Sequence, residues 1–534
     1  MPLDLSGRFK KRYYFLVLLA GALNVLAFAP FKAYPVAWFA PIVLFYALTQ
    51  ATTKKQHFYL GWLYAIGLFG VGASWPFYSI YFYAHAPIAV AVGGVALFTI
   101  GVAFLTGGLF GWVVSHYRDT PLVARLLLFY PAAWVLIEWY RSWFLTGFPW
   151  LYLGNTQIDT FFANFAPITG VLGVSLSSVL ISGALLSFFL GNRVKRTVNV
   201  QRNEVNTKLV ARKVTTEEKF GVSARILSAL IIVVLTLSGI ALGSVNWTQK
   251  SGKPITVSVL QSNISQDEKL NPANLKSMIK TYREMTQKSR KSDLIVWPET
   301  ALFDFFSNHM DSDINPLQKT LKNTTRTIML GGFYVNNEGG VENSVLAISH
   351  DKREIYSKRH LVPFGEYIPF AKILSGLGEW IPKSTLVAGD NDGMLSVAGQ
   401  KAQVSICYED AFGEEIIKSL PEAVMLVNIT HDGWFTGSFE PAQHMQIARM
   451  RTLETGRYMV RATTTGPAGI INEKGKVIAT APINTKQIIT HKVQRFTGST
   501  PYVRWGNWLI ISLLSVILTI GALWNRKEKH IWQH

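Results

Sequence analysis

Eight stretches of this 534-residue chain are long and apolar enough to read as membrane spans: 14–30, 34–49, 58–75, 87–114, 122–139, 167–190, 226–245 and 508–524. A hydrocarbon layer about 30 Å thick takes roughly 20 apolar residues of α-helix. Within it, a lone segment must satisfy its own backbone N–H and C=O groups, which forces a helical bundle. The stretch 87–114 is long, but two passes with a turn need about 40 residues, so it counts once. Composition agrees: 49% hydrophobic, 13% aromatic and only 16% charged residues is too apolar for a soluble chain. The first stretch follows Lys10, Lys11 and Arg12, and Ala27-Phe28-Ala29 faintly resembles a signal-peptidase site. A second apolar stretch follows within a few residues, so a retained span is expected there rather than a cleaved signal peptide.

Charge orients the bundle. With eight spans, the basic groups Arg8-Lys10-Lys11-Arg12, Lys54-Lys55, Arg118, residues 193–219 and Arg526-Lys527-Lys529 all fall on one side. The opposite connections, near 31–33, 76–86 and 142–166, carry few Lys or Arg. By the positive-inside rule both termini are cytoplasmic. The net charge of +19 is then largely a property of these flanks, and no nucleic-acid partner is expected. Residues 192–220 lack apolar periodicity and read as a flexible cytoplasmic loop. The expected organisation is a seven-helix bundle over 1–245, an extracytoplasmic domain over 246–503, and a closing helix with a cytoplasmic tail over 504–534.

The domain between spans seven and eight is large enough for its own core. Short β-branched runs (255–260, 294–297, 327–330, 344–349, 403–406, 423–429) alternate with helical patterns (271–289, 315–323, 412–419, 443–455), which indicates a layered α/β fold. It holds the chain's one cysteine, Cys407. In a bacterium this compartment is the oxidising periplasm, where a lone thiol can form no internal disulfide. Its retention there points to chemistry, although lone cysteines are commonly buried packing. His431 and His444 lack ligand spacing, so no metal and no cofactor are expected.

Three strand-like runs end on reactive residues. Leu294–Trp297 leads into Pro298-Glu299, Arg353–Tyr356 into Ser357-Lys358, and Gln403–Ile406 into Cys407. Ligands gather at the carboxyl ends of strands in α/β sheets. A carboxylate, an ammonium and a thiol delivered there supply a base, an electrostatic stabiliser and a nucleophile. Taken singly, Glu299 could be a charge near a helix start, Lys358 a surface charge and Cys407 core.

In this order Glu299, Lys358 and Cys407 resemble the Glu-Lys-Cys triad of the nitrilase, or carbon–nitrogen hydrolase, superfamily. The surrounding words WPET at 297–300, SKRHLVPFGEYIP at 357–369, ICYED at 406–410, HDGWF at 431–435 and QHMQIARMRTLETGRYMVRATTTG at 443–466 narrow it. With GFPW at 147–150 in the bundle, they are similar to the apolipoprotein N-acyltransferase family of bacterial inner-membrane enzymes, over nearly the whole chain. Two places depart from that pattern. The family often has a Trp in the region that here reads QSNISQDEKLNP, where Leu270 is the nearest position, and Thr430-His431 stand where Ser-Asn is commoner.

The resemblance implies an extracytoplasmic αββα sandwich over about eight transmembrane helices. It also implies transfer of an acyl chain from a glycerophospholipid, typically phosphatidylethanolamine, through a Cys407 thioester. The acceptor is the α-amine of an S-diacylglyceryl cysteine at an apolipoprotein N-terminus. Glu299 would be the base and Lys358 the partner of thiolate and oxyanion. Glu366, Tyr408 and Glu409 would serve orientation or the oxyanion. The apolar stretch 367–381, with Tyr367, Phe370 and Trp380, together with Trp150, Trp434 and Phe435, is expected to meet lipid or acceptor. A monomer is expected. Two alternatives stay open: a membrane-anchored amidase or nitrilase with water as acceptor, and a transporter or receptor, which intramembrane charges would favour, whereas Glu138 and Arg141 sit near a span end.

Overall fold

The computed structural model describes residues 11–190, 194–200, 212–218, 222–369 and 386–531. Helices occupy all eight apolar stretches: Arg12–Asn24, Val36–Gln50, Lys54–Gly72, Ile88–Ala103 with its continuation to Tyr117, Tyr130–Arg141, Ala166–Leu190, Val222–Leu242 and Trp508–Ile531. Among the described residues, four segments suffice by length and composition to cross a membrane: Ile88–Tyr117, Leu122–Arg141, Phe161–Leu190 and Ser223–Leu242. Lys54–Gly72 with Pro76–Tyr83, bent by 53°, would make a fifth. Arg12–Ala27, Val36–Gln50 and Trp508–Trp524 are apolar but shorter. Small residues bring the first helices close: a Cβ on Gly61 would lie 2.0 Å from the Gly107 carbonyl oxygen, so only glycine permits this backbone contact.

The loop expected over 192–220 is partly an antiparallel hairpin, Val194–Val200 pairing with Arg212–Glu218. Its register sets Thr197 against Thr215 and Val198 against Val214. Such β-branched pairs favour pleated backbone even where no helical periodicity exists.

The second half is built on twelve strands: β1 (Gln249–Gln261), β2 (Leu294–Val296), β3 (Thr327–Val335), β4 (Val341–Ile348), β5 (Arg353–Ser357), β6 (Met394–Val397), β7 (Gln400–Ile406), β8 (Leu426–Thr430), β9 (Met459–Thr463), β10 (Gly469–Ile471), β11 (Val477–Thr480) and β12 (Gln487–Thr497). They form two six-stranded sheets, ordered β12-β1-β2-β3-β4-β5 and β11-β10-β9-β8-β7-β6. Alternation along each strand sends Val257, Val259, Leu294 and Val296 of one sheet against Val404, Ile406, Val427 and Ile429 of the other. The opposite face of the first sheet, with Leu260, Ile295 and Trp297, packs on the helix Leu275–Lys288 through Ile279, Tyr282 and Met285. The second sheet packs Leu426, Met459 and Ile471 on Ala448 of the helix Glu440–Thr455. The layers are therefore helix, sheet, sheet, helix.

The two halves share a core. Val25, Phe28, Leu68, Phe69, Trp150 and Leu151 from the bundle cluster with Tyr408, Ala411, Phe412 and Ile447 from the sandwich, and Cys407 lies against this cluster. The carboxyl end of β7 thus meets the membrane half.

Candidate active site

Glu299 leaves β2 in a tight turn. Trp297 anchors its start, stacked on Tyr282 at 4.9 Å and donating from Nε1 to Thr286 Oγ1 at 2.9 Å. The Glu299 carboxylate is buried and accepts from Asn343 Nδ2 at 2.7 Å. The same Nδ2 reaches Glu366 Oε1 at 3.3 Å, so one amide of β4 links the two carboxylates. Lys358 follows β5, is 1% exposed, and donates from Nζ to Glu366 at 2.9 Å and 2.8 Å. Glu366 is fixed in turn by the backbone N–H of Val362 at 2.7 Å.

Cys407 ends β7 half-buried, at φ 53°, a backbone region rarely adopted by side chains other than glycine, Asn and Asp. Two devices hold it there. Glu409 accepts from the Ile406 N–H at 2.7 Å, the Tyr356 hydroxyl at 2.8 Å, and the Arg359 and His360 N–H groups at 2.7 and 3.2 Å. It therefore staples the end of β7 to the end of β5. Asn428 donates to the Cys407 carbonyl at 3.2 Å and accepts from Arg461 at 2.7 Å. Arg461 belongs to a buried network: it donates to Asp410 at 3.1 Å and Asp432 at 3.2 Å, while His444 contacts the same two carboxylates at 2.9 and 3.2 Å. Buried charges persist only when paired in this way.

Electrostatics follow from this packing. Burial and the neighbouring Glu299 push the Cys407 thiol up to about 12, against the opposing pull of Lys358. Burial raises the Glu299 carboxyl above the ordinary range, although Lys358 works the other way. Burial disfavours the Lys358 charge, but Glu366, Cys407 and Glu299 outweigh it and raise its pKa. A thiol held protonated in this way would need a neighbouring base to become a nucleophile.

The other expected site residues divide. Tyr408 is buried, donates to the Gly147 carbonyl at 3.2 Å, and stacks on Trp150 at 6.1 Å. Trp150 is 1% exposed; its indole N–H donates to Gln443 at 2.6 Å, and its ring meets Trp75 and His444, so its neighbours are protein. Arg141 donates to the Phe148 carbonyl at 3.2 Å and to the Trp150 carbonyl, and Glu138 accepts from the Leu153 N–H at 2.9 Å. These two bundle charges hold the loop that supports Tyr408. Tyr367, Trp434 and Phe435 are half-buried. Trp434 packs on Tyr83 at 5.6 Å and Phe435 on Trp75 at 4.7 Å, both at the bent bundle segment. Trp380 and Phe370 lie outside the described residues.

Asn343, Asn428, Arg461 and Lys269 escape a reading by sequence. None stands at a strand end in a reactive word, and their partners lie tens of residues away in the chain. Asp432, Glu440 and His444 bring three metal-type ligand atoms within 4.8 Å of one another. Asp432 is already held by Arg461, and His444, raised by Asp410 and Asp432 against burial and Arg461, supplies the second cation. Glu440 also contacts His444 at 3.3 Å, so the donor set is engaged in a buried ion network with Arg461.

Residues 20–184 match the sequence profile of the apolipoprotein N-acyltransferase N-terminal domain, and residues 256–502 that of carbon-nitrogen hydrolase. The apolipoprotein N-acyltransferase of Methylococcus capsulatus is 37% identical over 522 residues, covering 97% of each chain. That of Nitrosomonas europaea is 35% identical over 520 residues, 96% of this chain and 97% of its own. That of Coxiella burnetii is 32% identical over 514 residues, 95% of this chain and 99% of its own.

Proposed function

Because this chain belongs to the apolipoprotein N-acyltransferase family, we propose that its N-acyltransferase activity in lipoprotein maturation runs through a thioester on Cys407, with Glu299 as base and Lys358 as electrostatic partner. One observation carries the reading. Asn343 and Glu366 link the Glu299 carboxylate to the Lys358 amine, and Cys407, whose thiol feels the charges of both, ends β7 against an apolar cluster shared with the membrane half.

The steps balance on these residues. As the Cys407 sulfur attacks the sn-1 ester carbonyl of a glycerophospholipid, its proton passes to Glu299. The oxyanion is stabilised by Lys358, whose ammonium Glu366 keeps charged. Collapse breaks the ester C–O bond, and protonated Glu299 delivers its proton to the departing lysophospholipid. The α-amine of a diacylglyceryl cysteine then attacks the thioester. Glu299 takes a proton from the attacking amine, the amide C–N bond forms as the C–S bond breaks, and Glu299 passes that proton to the departing Cys407 sulfur, which restores the thiol and the carboxylate. Glu409 and Tyr408 act by holding Cys407. Tyr367, Trp434 and Phe435 form the lipid side of the site, and Trp150 supports Tyr408 from behind. Donor and acceptor both carry acyl chains, and each CH₂ drawn from a bilayer costs about 0.8 kcal/mol, so a site held over the membrane avoids extraction.

The donor is taken to be phosphatidylethanolamine and the enzyme a monomer in the bacterial inner membrane. We take the chain to cross it eight times, with residues 246–503 in the periplasm. The placement of basic ends supports this: Lys54 lies 3.3 Å from His116, and Arg118 donates to the Thr52 carbonyl at 3.1 Å. The sandwich instead meets the bundle through Ala29, Gly72 and Gly147, at the other ends of the helices. A reporter fused after residue 300 should behave as periplasmic and one at the C-terminus as cytoplasmic. Both on one side would refute the eight-pass count.

The activity itself is tested with purified protein, a labelled phosphatidylethanolamine and a diacylglyceryl lipopeptide. Label should move to the peptide and shift it on a gel. Release of free fatty acid with no labelled peptide would instead favour a hydrolase with water as acceptor.

A further inference from the structure

Lys269 lies on the short helix Gln266–Leu270, set by a capping box in which Ser265 and Glu268 exchange hydrogen bonds at 3.2 and 2.9 Å. The helix is also tied to the HDGWF turn, since Gln266 bonds His431. The Lys269 side chain is 4% exposed. Its amine donates to the Glu299 carbonyl oxygen at 3.2 Å and to Thr300 Oγ1 at 2.5 Å, and lies 5.6 Å from the Phe303 ring. Among the described residues no carboxylate forms an ion pair with it. Burial, against the attraction of Glu299 and Cys407, lowers its pKa to about 7. A lysine that gives up part of its charge to sit unpaired in a core is costly to keep there.

Its two acceptors explain the placement. Thr300 adopts φ 45°, an outlier for a β-branched residue. Such strain persists only where the surroundings over-determine it. From one side the turn rests directly on β3: a Cβ on Gly331 would stand 2.6 Å from both the Pro298 oxygen and the Thr300 nitrogen. Leu302 N–H adds a bond to the Gly331 carbonyl at 3.0 Å. From the other side the turn is held by Lys269, which grips one acceptor on each side of the Glu299–Thr300 peptide. The amine keeps hydrogen-bond donors whether or not it is protonated, so the grip does not require a permanent cation beside Glu299.

We propose that Lys269 is a positioning residue for the acylation step: it holds the strained Glu299–Thr300 turn so that the Glu299 carboxylate stays aimed at Cys407. The inference rests on the reading of Glu299 as base. It makes a prediction that packing alone does not: if Lys269 serves to hold strain, removing the strain makes it dispensable.

The test uses the full-length enzyme and phosphatidylethanolamine, following lysophospholipid release in the first turnover. Lys269→Met should slow acylation about 10- to 100-fold, the scale of one strained residue released, with KM for phospholipid unchanged. Thr300→Gly tolerates the left-handed conformation without a clamp. In that background Lys269→Met should cost no more than about three-fold, roughly 0.6 kcal/mol and close to independent behaviour. An equal loss in both backgrounds, a change confined to KM, or wild-type acylation by Lys269→Met would each overturn the inference. Should Lys269→Met fail to fold, Lys269→Gln, which keeps a donor on a shorter stem, carries the same comparison. Glu299→Gln run alongside separates the two readings. If it is inactive while Lys269→Met is normal, only the positioning role falls; if it is active, the base assignment itself falls.

Discussion

Incubated with a glycerophospholipid and no acceptor, the protein is expected to gain the mass of one acyl chain on the Cys407 peptide, with lysophospholipid released in equal amount. Cys407→Ala should gain nothing and transfer nothing, a loss on the order of 10⁶-fold if other nucleophilic enzymes are a guide. Fold should survive. The side chain is half-buried, and losing one sulfur costs about 1 kcal/mol of burial. The Glu409 and Asn428 bonds that hold this segment all go to backbone groups or to other side chains, which alanine leaves in place. Neutral hydroxylamine should strip the adduct, because a thioester is labile where an amide is not. Adding a diacylglyceryl lipopeptide should discharge it with ping-pong kinetics. An unmodified Cys407 in an active preparation would end the acyl-enzyme mechanism.

Glu299→Gln should lower single-turnover acylation by about 10²–10⁴-fold, the usual worth of a general acid–base group. Glutamine keeps the shape and still accepts from Asn343 Nδ2, while Lys358 retains both oxygens of Glu366, so the surroundings are undisturbed. The pH profile supplies a second check. Burial raises the Glu299 pKa, and only the carboxylate form accepts a proton. The wild-type rate should therefore climb as pH rises through that raised pKa, and this limb should vanish in Glu299→Gln. Near wild-type turnover would reduce the WPE turn to a structural element.

Much of the site is legible in the sequence because it is local. Glu299, Lys358 and Cys407 each follow a short strand-like run, Leu294–Trp297, Arg353–Tyr356 and Gln403–Ile406, so each strand end is visible in the chain itself. Strands β9 to β12 are not read this way: β10 and β11 are short, and β12 interleaves His491, Lys492 and Arg495 with its apolar residues. Pairing, not propensity, makes them strands: β10 with its chain neighbours β9 and β11, and β12 with the distant β1. Trp150 shows the same limit from the other side. An aromatic beside a span end reads as an interfacial anchor, yet Tyr408, more than 250 residues away, covers it.

By itself the sequence determined which segments are apolar helices, because hydropathy sums over neighbouring residues. For the same reason it determined the order of strands ending in reactive groups. The tertiary structure alone decided what faces those groups. Asn343 bridging two carboxylates, Asn428 on the Cys407 carbonyl, Arg461 behind it and Lys269 under the Glu299 turn depend on sheet register and on how two sheets, two helix layers and the bundle pack. A hydrogen bond is decided within a few tenths of an ångström between residues far apart in the chain, and no property of either residue's own neighbourhood contains that distance.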